Sequence, residues 1–266
     1  MSFWGNQDFF LKIAEGQIEG MRTFSIPGRR DGVSATGLAD ISQIPSTAAI
    51  FVIPDPDGQQ LEILSNNAAD SSGGTGIQLF ELEFLDSNGD EQQEEILLNG
   101  TSPVATVSTD IDKIQWMHGE EVGSNTVSEG NITLRQSTAV GTEVYEFIEA
   151  GGNQSLSARY NVPAGKTGYI LGWQVSAVTK VVDFRLRANV DRFDRTLQSA
   201  FNFQDAVIVD TTPSGWTPLP FLKCPAGAQI KVSGVSAAAG GDAGCQFDIL
   251  LIDDDAKFNP RTVKLR

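Results

Sequence analysis

The sequence predicts an all-β protein: two tandem β-sandwich domains of jelly-roll type behind a short N-terminal arm. Three observations carry this expectation. Apolar residues recur with a period of two from Ala48 to Leu251. Glycine and proline clusters interrupt them at short intervals, as turns between strands require. After residue 20 no stretch keeps a helical period. The 266 residues are 40% hydrophobic and 20% charged, enough apolar surface to offset the entropy of ordering a globular chain.

The first twenty residues stand apart. Phe3, Trp4, Phe9, Phe10, Leu11 and Ile13 crowd one short segment, with Asn6 or Asp8 available to cap a helix. Aromatics at this density pack on the protein's own body or on a partner. Residues 1–20 are therefore the candidate docking arm. Residues 27–47 hold Pro27-Gly28, Asp31-Gly32 and Pro45 with no sustained period, and read as an ordered loop.

Strands follow. The apolar run Ala48 to Ile53 leads through Pro54-Asp55-Pro56-Asp57-Gly58 into Leu61 to Leu64, a hairpin signal. Phe80, Leu82 and Phe84 alternate with Glu81 and Glu83, predicting one buried and one charged face. Asn88-Gly89 turns the chain back into Glu95 to Leu98. Further strands are predicted at 104–108, 111–116, 131–135 and 143–148. In the second half, Tyr169, Leu171, Trp173 and Val175 are expected on one face of a strand. Phe184, Leu186, Ala188 and Val190 alternate with Asp183, Arg185, Arg187 and Asn189, and Phe247, Ile249 and Leu251 form the closing strand. No apolar run nears the roughly 20 residues that span a bilayer. The opening residues lack the basic start and apolar core of a secretory signal, so cytosolic synthesis is expected.

Charge divides the chain. Residues 1–150 carry 24 acids and 6 bases, including all fourteen glutamates, whereas residues 151–266 carry 10 acids and 13 bases. This predicts an acidic domain over 21–150 and a mildly basic one over 151–266, joined near Ala150-Gly151-Gly152-Asn153. The acidic half should repel nucleic acid and anionic membranes. Arg185, Arg187, Arg192 and Arg195 are candidate contacts with the acidic surface of a second copy.

Catalytic chemistry finds little footing. His118 is the sole histidine, and no G-x-S-x-G elbow accompanies it. Zinc sites usually gather several His and Cys ligands, and here there are three such residues over 127 positions. Asp86, Asn88 and Asp90 open like a calcium loop, but Glu91 stands where its glycine belongs and Leu97 where its bidentate glutamate belongs. Glu81 and Glu83 have a separation compatible with glycoside hydrolysis, as any strand with alternating acids does. Cys224 and Cys245 read as free thiols, and Trp216 reads as a loop residue able to stack on a sugar. No cofactor is expected.

Seven turn-rich motifs carry a resemblance. Asp8 to Gly16 with Ile18-Glu19-Gly20, the Ser65 to Gly76 turn, Leu85 to Gly89, Leu98 to Thr106, Gly130 to Arg135, Ala150 to Ser155 and Tyr160 to Thr167 stand in this order. Together they resemble a family of virion structural proteins of tailed bacteriophages, over about residues 8–190. Residues 21–47 depart from the family's loop. The resemblance implies a structural component of the particle, made in the host cytoplasm, without catalytic residues. The expectation that follows is a capsid decoration or cement protein, bound to the major capsid protein or other virion proteins as a homo-oligomer, a trimer by preference. The alternative is a tail-fibre or receptor-binding component that recognises host glycans through Trp216. A glycan-degrading enzyme ranks last.

Overall fold

A computed structural model describes residues 4–45, 50–55, 57–137, 143–190, 201–210, 213–216 and 221–256. Among the described residues the protein is all-β apart from α1 (Trp4–Ala14). Among these residues no helix is long and apolar enough to cross a membrane.

One sheet takes β1 (Met21–Val33), β17 (Gly241–Asp253), β11 (Lys166–Val178) and β14 (Ser214–Trp216) in that order, with β15 (Leu222–Cys224) also paired to β11. The facing sheet runs β10 (Arg159–Asn161), β16 (Gln229–Ser236), β12 (Val182–Asn189) and β13 (Asn202–Val209), with β2 (Ala39–Asp40) added to β16. Counted along the chain without the short β2 and β15, these eight strands read first-eighth-third-sixth and second-seventh-fourth-fifth. That is the jelly-roll order of two interlocked Greek keys. Ile170, Trp173, Val175, Phe247 and Ile249 of one sheet meet Phe184, Leu186, Ile230 and Val232 of the other in a single core.

Seven further strands lie in the connection between β2 and β10: β3 (Leu61–Ser65), β4 (Ile77–Asp86), β5 (Glu91–Leu97), β6 (Val104–Ala105), β7 (Ile111–Val122), β8 (Ile132–Gln136) and β9 (Val144–Ile148). They form the sheets β6-β3-β8-β9 and β5-β4-β7. Their inner faces share a second core that includes Ile63, Phe80, Leu82, Phe84, Met117 and Leu134. Each such side chain contributes about 1.5–3 kcal/mol by leaving water. The predicted alternation of Phe80, Leu82 and Phe84 with Glu81 and Glu83 is what the sheet shows.

Several local patterns differ from the sequence reading: residues 27–33, read as loop, continue β1, and 50–53, read as half of a hairpin, form no strand. The register of β11 against β17 shifts between Ile170 and Gly172. A bulge moves the strand's phase by one residue, so Ile170 is buried with Trp173 and Val175 while Tyr169 and Leu171 stay half-exposed. Residues 21–40, grouped by charge with the acidic half, pair instead with β17 and β16 of the C-terminal half. Charge reports the solvent-facing side chains, whereas strand pairing follows the backbone.

The two groups of strands meet along a buried polar seam. Asn161 of β10 donates its backbone N–H to Gln115 Oε1 of β7 at 2.9 Å. Arg159 of β10 pairs with the buried Glu146 of β9 at 2.9 Å, and Ser157 donates to the same carboxylate. A second knot sits inside the acidic group. The fully buried Asp70 carboxylate accepts the Ile77, Glu129 and Gly130 backbone N–H groups and the Ser65 hydroxyl, at 2.6–3.0 Å. Beside it, Asn66 Oδ1 accepts the Asn131 N–H, and Asn131 Oδ1 accepts the Ala150 N–H.

Candidate functional site

The site grows from the outer face of the β5-β4-β7 sheet. Because strand side chains alternate, burying Phe80, Leu82 and Phe84 turns Glu81 and Glu83 outward. Antiparallel register sets His118 of β7 opposite Glu81, and Trp116 opposite Glu83. The Trp116 and His118 rings stack with centroids 4.4 Å apart. His118 Nε2 lies 3.8 Å from Glu81 Oε1 and 3.3 Å from Glu120 Oε2. One donor atom from each of Glu81, Glu83 and His118 falls within 4.8 Å of the other two. Burial, and then the charge of Glu81, pushes the Glu83 carboxyl above its usual range.

This face looks across a cleft of about 330 Å³ toward β1, within the size range of small-molecule sites. Phe24 and Ile26 of β1, Trp116 and Tyr160 give it apolar walls, and Glu83, Gln115, Ser155 and Ser157 its polar ones. Arg22 pairs with Glu91 and its guanidinium lies 5.5 Å from the Phe24 ring centroid. Phe24 meets Tyr160 edge-on at 4.9 Å. The Tyr160 hydroxyl is close enough to Arg22 to feel its charge, yet it and the buried Trp116 Nε1–H make no well-formed hydrogen bond. Burial, then the nearby carboxylates, raises the Tyr160 phenol.

The residues singled out from sequence lie elsewhere. Phe3 falls outside the described residues; Trp4 begins α1, and its side chain is outside them too. α1 lies against β1, with Ile13 only 2% exposed, Phe9 and Phe10 half-buried, and Leu11 56% exposed. Arg185 is bonded to its neighbour Asp183 at 2.8 Å. Arg187 turns to Asp40 at 3.0 Å and to Ser233, in a network shared with Lys231. Arg192 and Arg195 lie outside the described residues. Trp216 is a strand residue rather than a loop residue, its backbone opposite Trp173 at the end of β14; its side chain is not described. Asp86 Oδ1 accepts the Asn88 and Asp90 N–H groups, so this carboxylate shapes the hairpin turn.

The Glu81–Glu83–His118 grouping was not found from sequence. Its one legible signal is the alternation that turns both glutamates outward. The pairing of Glu81 with a histidine 37 positions on depends on a register interrupted by several bulges.

No protein-family model matches the chain, and no curated protein matches it. Among solved structures it is similar to that of infectious bursal disease virus Gx strain, at 11% identity over 87% of this chain and 70% of that one, TM-score 0.21. The infectious bursal disease virus VP2 subviral particle matches at 10% identity over 93% and 79%, TM-score 0.15. A vicilin from Solanum melongena matches at 10% over 93% and 78%, TM-score 0.13. Scores this low carry no argument about function.

Proposed function

We propose that this chain is a structural component of a tailed-phage particle, a capsid decoration or cement protein that binds the shell as a homo-oligomer. One observation carries the reading beyond the sequence resemblance. Several motifs behind that resemblance are far apart in sequence yet interlock in space: Ser65 to Gly76, Gly130 to Arg135 and Ala150 join through Asp70, Asn66 and Asn131. They spend their polar groups on backbone N–H donors, and so hold the corners of a sandwich rather than a reacting centre. Shared motifs of this kind support shared architecture, which is what a coat component must supply. The acidic surface suits a protein that stays soluble until it assembles.

The test is copy number per purified particle, by quantitative mass spectrometry against the major coat protein. Copies in the hundreds support cementing of the shell. A few to a few dozen move the protein to the tail or a vertex. That outcome favours the second reading, host-glycan recognition, for which the aromatic cleft between Phe24, Trp116 and Tyr160 is the supporting observation. Glycan-array binding lost in Trp116→Ala but kept in Trp216→Ala would assign it to the cleft. The reverse pattern would return it to Trp216.

A further inference from the structure

We propose that Glu81, Glu83 and His118 form a binding site for one divalent transition-metal ion, with zinc the best-fitting member of that class. The site goes beyond a coat role and does not depend on it.

Geometry comes first. Two ligands each about 2.1 Å from an ion stand at most about 4.2 Å apart, and about 3.4 Å apart at tetrahedral angles. The three donor atoms already lie within 4.8 Å of one another, and the His118 Nε2 to Glu81 Oε1 distance of 3.8 Å is inside that range. Bringing a pair at the 4.8 Å limit to the tetrahedral 3.4 Å asks for about 1.4 Å of movement, shared between two side chains. Glu120 Oε2, 3.3 Å from the same nitrogen, is at hand as a fourth ligand. Trp116 stacks on one face of the imidazole, and Nε2 is the nitrogen that meets the carboxylates.

Charge points the same way. Glu81, Glu83 and Glu120 gather around a single imidazole, and Arg22, the base of β1 that lines the cleft, pairs with Glu91 while its charge also reaches Glu83. Carboxylates at this spacing repel unless a cation lies among them. A third observation is independent of the cluster. Tyr160 is 4% exposed, and its hydroxyl, which lies near Arg22, makes no well-formed hydrogen bond in the cleft that Glu83 also lines. Buried polar groups are normally satisfied, so the cleft has room and reason for a molecule or water beside the ion. One imidazole nitrogen with two or three carboxylate oxygens is a borderline ligand set. It suits zinc, and manganese more weakly, better than calcium or magnesium, which take oxygen alone.

Full-length protein stripped with EDTA is titrated with zinc, manganese, calcium and magnesium chlorides by calorimetry and by thermal melting. The expected result is one zinc per chain, a zinc-dependent rise in melting temperature, and weak or no response to calcium and magnesium. His118→Ala and Glu83→Gln should each weaken zinc by about 100-fold, the upper end of what loss of a mere outer partner costs. Glu95→Gln, an exposed carboxylate opposite Glu81 on β5 but outside the ligand set, should change it no more than severalfold. Because His118 is the sole histidine, its ring NMR signals report on this site alone and should shift in step with the calorimetric saturation. Melting in EDTA confirms that the variants are folded. The proposal is overturned if zinc does not bind, if affinity survives both substitutions, or if all four ions bind alike and Glu95→Gln weakens them equally.

Discussion

Lys231 Nζ lies 2.9 Å from Asp40 Oδ2, joining residues 191 positions apart across the β2–β16 pairing. Asp40 is 1% exposed and also takes Arg187 at 3.0 Å, the Ser233 hydroxyl and the Phe51 N–H. Two cations therefore depend on one buried carboxylate. Burial already holds the Lys231 ammonium below its usual range, with Asp40 pulling the other way. Asp40→Asn keeps the shape and removes the charge, and should cost about 3–5 kcal/mol at pH 7. Lys231 then loses the partner that favours its charged form, so its folded pKa falls further below the unfolded value. The unfolded state binds the extra proton, and the variant regains stability as pH rises between those two values. Urea unfolding at pH 7 and near the ordinary lysine range should show the deficit shrinking without vanishing, since Arg187 stays charged. An equal deficit at both pH values would sink the argument.

Asp70→Ala removes the acceptor of three backbone N–H groups and one hydroxyl inside the acidic strand group. Each buried donor left unbonded costs about 1–3 kcal/mol. The loss should be local. Hydrogen exchange read by mass spectrometry should show β3, β4 and β8 losing protection well before β11 and β17. Uniform loss across all five strands would mean that the two cores unfold as one.

What the sequence made legible was whatever depends on near neighbours. The alternation of Phe80, Leu82 and Phe84 gave the inner face of β4, and Asn88-Gly89 gave its turn, where Gly89 takes a φ of +83° that other residues rarely adopt. What stayed hidden depends on register or on distant pairing. A bulge at Leu171 moves Ile170 inward, and no local pattern announces it. β1 pairs with β17 more than two hundred residues away, so the strands of 61–148 interrupt a jelly roll whose first strand lies ahead of them. His118 meets Glu81 only through the β4–β7 register, so counting residues along the chain does not bring the two together.

Cys224 and Cys245 are free and buried. Cys224 stands opposite Gly168 and Cys245 opposite Val175, on different sides of β11 and seven residues apart along it. At about 3.3 Å per residue that is more than 20 Å, far beyond the roughly 7 Å limit for a disulfide. Burial pushes the Cys224 thiol up to about 12 and raises that of Cys245 as well. Only the thiolate reacts, so a thiol reagent at pH 8 should label neither cysteine in the native protein and both in denaturant. Fast native labelling would contradict the burial; absence of labelling in denaturant would contradict the free thiols.

The arm divides into an anchored part and an offered part. Ile13 is buried against the body, so a truncation that removes it confounds docking with stability. Ile13→Ala should cost about 2–5 kcal/mol, as core truncations do. Leu11, more than half exposed on the same helix, has little stake in the fold. Leu11→Asp should change stability by no more than about 0.5 kcal/mol. If the helix docks on the shell, the same substitution places a charge in an apolar contact and should abolish incorporation into particles. Incorporation is read by mass spectrometry of purified particles, and stability by urea unfolding of the free protein. Normal incorporation of a stable Leu11→Asp variant would remove the arm as the docking element and leave the outer faces of the two sandwiches to supply it.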